Sequence, residues 1–95
     1  SQSTVPTQAL LLMNDEFVEE QAGHLAQRAS QEAGGDLEKA IHRMFMLTLS
    51  HGPSRQRMQE AVAFVREREA ASDHNTALAD LAHVLLNSSE SVYAD

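Results

Sequence analysis

The chain has 95 residues, no cysteine, and fourteen acidic against seven basic side chains, for a formal charge of −7. That length makes one domain, able to bury about 60–65% of the surface its unfolded chain exposes, and the missing thiols exclude disulfides, thiolate zinc sites, iron–sulfur clusters, a cysteine nucleophile and covalently attached c-type haem. The acidic balance has the wrong sign for gathering phosphates by counterion release, so no nucleic acid and no anionic membrane surface is expected as a partner. No apolar run approaches the ~20 residues of a membrane span, and no membrane insertion is expected.

Ser1–Val5 is polar and extended, and Pro6 holds the residue before it out of the helical region. Ala9–Met13 is apolar at five consecutive positions. A short helix there has no solvent face unless something packs on both of its sides. Asn14, followed by Asp15 and Glu16, is an N-terminal cap with acidic residues in the first turn, where they oppose the helix dipole. The helix it opens carries Val18, Ala22, Leu25 and Ala29 on its inner face, with Phe17 beside them, and stops at Gly34 and Gly35.

Asp36 caps the next helix, with Lys39 where a capping-box Glu would stand, so the cap is single. Leu37, Ala40, Ile41, Met44 and Thr48 form one face; Phe45, Leu47 and Leu49 widen it, which predicts a second half buried nearly all round. His51-Gly52-Pro53 breaks this helix. Ser54 caps another with Met58, Ala61, Val62 and Val65 inward, ending in solvent at Arg66–Glu69. Thr76 is the expected cap of the last helix, Ala77 to about Ser88, followed by a short tail from Ser91 to Asp95.

In that last helix Asp80, His83 and Asn87 fall at i, i+3 and i+7, one narrow polar stripe on an otherwise apolar cylinder. The rest of its circumference requires cover from other helices, which makes it the central element. No period-two alternation and no Asn-Gly or Asp-Gly turn suggests a strand. The expected fold is all-α: four main helices in an irregular bundle plus a short N-terminal helix, forming a single helical domain over residues 1–95. The abrupt opening on an apolar helix, with no signal-peptide pattern, reads as the C-terminal fragment of a larger protein.

Asp80 and His83 are the sharpest pair for chemistry, since a carboxylate one turn away orients an imidazole. An acid–base role also needs a nucleophile or a cleft. Asp80-x-x-His83 is a single pair where a di-iron bundle uses two Glu-x-x-His motifs and two more carboxylates. Glu20 with His24 and Glu38 with His42 read as surface ion pairs. Met13, Met44, Met46 and Met58 sit at core spacing as gap fillers rather than haem ligands. No metal site and no cofactor is expected. The nucleophile elbow and the phosphate loop are both absent, and Gly23, inside a helix, marks a place for a neighbour to approach closely.

Thr4–Asp15 (TVPTQALLLMND) and Ala77–Asp95 (ALADLAHVLLNSSESVYAD), with Phe45–Val65 between them, resemble the C-terminal part of a family of proteins of unknown function, domain of unknown function 1553, found mainly in planctomycetes. There a related domain, and often a cytochrome c module, lies upstream. The resemblance implies a secreted or periplasmic parent and carries no catalytic residue across. Two positions depart from the family pattern: Ser50-His51-Gly52-Pro53-Ser54 replaces Gly-Arg-Pro-Pro-Thr, and Ser91 stands where phenylalanine is usual.

Two functions compete on this reading. The first is a non-catalytic helical domain that packs on upstream domains of the same chain or binds a protein partner, with Leu10, Leu11, Leu12 and Met13 as the docking surface. The second is a contribution of Asp80, His83 and Asn87, with Asn14 nearby, to a redox or hydrolytic site completed from upstream. A deep polar pocket would favour the second, and an open stripe the first.

Overall fold

The computed structural model describes residues 15–94, with the side chains of residues 16–88. Four helices follow one another: α1 Asp15–Glu32, α2 Leu37–Leu49, α3 Arg55–Ala71 and α4 His74–Ala94. No strand occurs among the described residues, and the fold is the expected all-α bundle. The leading Ala9–Met13 helix and the Asn14 cap lie outside the described residues.

Each joint is built from local chemistry. Gly34 and Gly35 take positive φ, 64° and 86°. This lets the Gly35 N–H donate to the Ser30 carbonyl at 3.1 Å and the Gly34 N–H to Gln31 at 3.2 Å, the Schellman closure that left-handed glycine permits. The Asp36 carboxylate then accepts the Lys39 N–H at 3.0 Å to open α2. At the far end of α2, Ser50 turns left-handed at φ 65° and its N–H donates to the Met46 carbonyl at 3.1 Å. Pro53 cannot continue that helix, and the Ser54 hydroxyl accepts the Arg57 N–H at 3.1 Å to start α3.

The helices α2 and α4 each touch all the others, while α1 and α3 do not meet. The bundle is therefore a central α2–α4 pair with α1 on one side and α3 on the other. Glu32 locks α1 to α2 at one end, accepting from Arg43 Nε at 2.6 Å and from Arg28 Nε at 3.0 Å. The core is rich in alanine: Ala22, Ala26 and Ala29 of α1 and Ala77 and Ala82 of α4 share one buried cluster with Leu78, and α1 with α4 is the most extensive helix pair. Small side chains let the two axes approach closely. Ile41, Met44, Val65 and Leu78 are the largest fully buried side chains, each stabilising by roughly 1.5–3 kcal/mol relative to exposure. Leu81 and Leu85 are both buried, on the apolar arc where the stripe argument put them.

Several local expectations need correction. Asp73, not Thr76, opens α4: its carboxylate accepts the Thr76 N–H at 2.8 Å and the Thr76 hydroxyl at 3.0 Å. The helix then runs on through Ala94, because no glycine or proline interrupts it, so residues 91–94 are helix rather than tail. The second half of α2 is not buried all round. Met46 and Leu47 are 39% and 37% exposed, since the other helices leave one side of α2 open. Gly23 meets no close neighbour: a Cβ there would find nothing within 4 Å.

Candidate functional site

Asp80 and His83 are half-buried and Asn87 is exposed. All three line one open depression of about 260 Å³ with Val84 and with Phe64 and Arg68 of α3. The two-residue turn between α3 and α4 makes this arrangement, by folding the last turns of α3 back on the first turns of α4. The stripe is wider than the spacing suggested, because Val84 stands four residues beyond Asp80 on the same face and is 48% exposed.

Asp80 and His83, one turn apart, do not pair with each other. Asp80 turns across to α3, where Arg68 Nη1 lies 3.5 Å from its Oδ2. The same guanidinium sits 4.7 Å from the centroid of the Phe64 ring, a cation–π contact that fixes its place. His83 makes no hydrogen bond among the described residues, so neither the carboxylate nor a neighbouring helix start orients its ring. No hydroxyl side chain among the described residues lines the depression. What remains is a polar, solvated surface with one ion pair, smaller than the ~300–1,000 Å³ of a usual small-molecule pocket.

The other candidates are scattered. Among the described residues no group of three His, Asp or Glu side chains converges to hold a metal. Neither Glu20–His24 nor Glu38–His42 closes to an ion pair; the His42 ring rests on Gly52 instead, where a Cβ would come within 2.5 Å of it. Met44 is fully buried and Met58 partly so, while Met46, read as core, is exposed. Asn14, Leu10, Leu11, Leu12 and Met13 lie outside the described residues.

Two features escaped the sequence reading. Arg66–Glu69 does not simply end α3 in solvent: Glu69 accepts from His74 Nδ1 across the turn and from Arg66 Nη1 at 3.2 Å. The His74 contact first, and the Arg66 guanidinium after it, hold the Glu69 carboxyl below the ordinary carboxylate range. The i, i+3 spacing of Arg66 and Glu69 was a visible signal; the reach of His74 over a two-residue turn was not. The second feature is an apolar groove of about 440 Å³ between α2, α3 and α4, lined by Phe45 and Leu49 of α2, Phe64 of α3, and Val84 and Leu85 of α4.

The fold and the stripe together define an all-α bundle with an open polar surface, and no helix among the described residues is long and apolar enough to cross a membrane. Residues 1–65 match the family model PSD1, described as a protein of unknown function (DUF1553), and the chain belongs to that family. The matched span takes in the Thr4–Asp15 and Phe45–Val65 stretches, and Ala77–Asp95 lies beyond it. No curated protein and no solved structure matches the chain.

Proposed function

We propose that this chain is a non-catalytic helical domain that acts by packing, on upstream domains of the same parent protein or on a protein partner, with Leu10, Leu11, Leu12 and Met13 as the docking surface. One observation carries the reading: the polar stripe of α4 lies open to solvent, and its Asp80 carboxylate is already engaged by Arg68. A catalytic carboxylate–imidazole pair would need the two groups in contact and a cleft around them. On this proposal the parent is secreted or periplasmic, with a related domain and often a cytochrome c module upstream. Docking through a five-residue apolar run suits such a tandem arrangement, because interdomain joints bury apolar surface that neither domain covers alone.

The second reading keeps one support. Asp80, His83 and Asn87 do line a common depression, so residues from upstream would complete a site there. Replacing Leu11 and Leu12 by serine decides between the two. The packing reading expects at least a tenfold loss of affinity for the upstream part of the parent, supplied as a separate polypeptide, with Asp80→Asn and His83→Ala leaving it unchanged. The reverse pattern would support the second reading.

A further inference from the structure

The groove between α2, α3 and α4 has a buried floor of Phe45, Leu81 and Leu85, and at its mouth stand Phe64, half-buried, and Val84, 48% exposed. Phe64 and Val84 also line the depression that holds Asp80 and His83, so groove and depression form one continuous strip along α3 and α4. An ion pair marks each end. Arg57 Nη1 lies 2.8 Å from Glu60 Oε1 at the end beside Ser88, and Arg68 Nη1 lies 3.5 Å from Asp80 Oδ2 at the other. Arg57, Phe64 and Arg68 fall at i, i+7 and i+11 on one face of α3, which sets the two arginines about 16 Å apart along the helix with the apolar mouth between them.

That pattern selects its occupant by charge. The chain carries −7 overall, and Asp15, Glu16, Glu19 and Glu20 crowd the start of α1, which lies on the other side of the bundle from α3. A basic partner is drawn to α1. The strip holds two cations and two anions, with His83 neutral, so it selects neither a basic nor an acidic partner, and two acidic chains meet there with the least repulsion. Its order of charges is also its own complement. A half-turn about Phe64 and Val84 lays the Arg57–Glu60 end of one copy over the Arg68–Asp80 end of another, and each cation then finds an anion. A closed twofold interface requires a self-matching patch of this kind.

We infer that this strip is the interface of a twofold dimer of the chain, with Phe64 and Val84 at the axis, Arg57 facing Asp80 of the second copy and Arg68 facing its Glu60. All four charged side chains are at least 37% exposed, so each has a free side for a second partner while it keeps the first. Among the described residues of the strip, Val84 alone is a large apolar side chain with more than a third of its surface exposed, which fits a weak, reversible dimer rather than an obligate one. The inference uses none of the docking residues of the packing reading and does not depend on it.

Sedimentation of the full chain up to about 1 mM, where an association of only ~4 kcal/mol populates the dimer, provides the test. A monomer–dimer equilibrium is expected, weakened at least tenfold by Val84→Glu and unchanged by Leu47→Glu, a similarly exposed site away from the strip. Glu60→Arg and Arg68→Glu should each lose the dimer, because each sets like charges against one another twice across the axis. Mixed together, the two variants should recover it, since both cross-axis pairs are then opposite in sign; that recovery also shows that both variants fold. A chain that stays monomeric to about 1 mM would overturn the inference, as would a dimer that survives Val84→Glu or a mixture that fails to recover. A monomer that binds the upstream polypeptide, and loses that binding in Val84→Glu, would overturn it too and give the groove to the upstream part.

Discussion

The Arg68 guanidinium stands 4.7 Å from the centre of the Phe64 ring, one turn back on the same helix, and from there reaches Asp80 of α4 at 3.5 Å. The ring holds the cation and the cation occupies the carboxylate. Both partners of the ion pair are substantially exposed, Arg68 by 50% and Asp80 by 37% of their side chains. Such pairs contribute about 0.2–1 kcal/mol, and an exposed cation–π contact about 0.5–1 kcal/mol. Arg68→Ala should therefore cost about 1 kcal/mol in chemical denaturation, and Asp80→Asn less. A cost several times larger for Asp80→Asn would mean that the carboxylate has a structural duty the open stripe does not explain.

Gly23 sits mid-helix in α1 with open space where a side chain would go. Glycine in a helix interior costs roughly 0.5–1 kcal/mol relative to alanine, because its backbone loses more freedom on folding. Gly23→Ala should raise stability by about that amount, read as an upward shift of the denaturation midpoint with an unchanged slope. A loss of stability would show that the α1 surface is occupied there.

The alanine-lined contact between α1 and α4 predicts an asymmetry. Leu78→Ala removes a fully buried side chain and should cost roughly 2–5 kcal/mol. Ala29→Leu forces extra volume into a contact with no exposure left and should cost about 1–3 kcal/mol. Met46→Ser, on the open side of α2, should change stability by less than about 0.5 kcal/mol. Thermal or urea unfolding of the three variants orders them.

Among the described residues, four carboxyl groups are held below their ordinary range in the folded chain. Arg43 and then Arg28 act on Glu32, Gln56 and Arg57 on Glu60, His74 and Arg66 on Glu69, and the Thr76 N–H and hydroxyl on Asp73. A carboxyl depressed in the folded state stabilises fully above its unfolded pKa, and that contribution disappears as pH falls through the folded pKa. Stability should thus decline as pH drops below the ordinary carboxylate range, with no matching loss on the alkaline side from these groups. Glu32→Gln should melt lower than the parent at neutral pH, and the two melting curves should converge in acid. A gap that persists in acid would mean that Glu32 acts by packing rather than by charge.

The architecture was legible because each α1–α3 boundary carries its own signal. Gly34-Gly35 with Asp36, then Pro53 with Ser54, fix both turns through local hydrogen bonds that residue type alone announces. Leu81 and Leu85 followed from the polar positions around them. What failed was tertiary. The α4 cap was misplaced by three residues because Thr76 and Asp73 are both competent caps, and only geometry shows the threonine hydroxyl donating to the aspartate rather than capping. The partner of Asp80 was not legible for a related reason: spacing puts Asp80 and His83 on one face but does not say which helix stands opposite, and Arg68 arrives from α3. The exposure of Met46, Leu47 and Val84 has the same origin, since apolar residue type cannot report that one side of a helix lacks a neighbour.

Hydrogen exchange across Ala9–Met13, measured on this chain alone and on the chain joined to its upstream portion, tests the packing claim most directly. The account predicts markedly slower exchange in the longer protein, because docking on the upstream part covers the segment there. Equal exchange rates in the two would contradict it, and would leave this apolar run without a docking role.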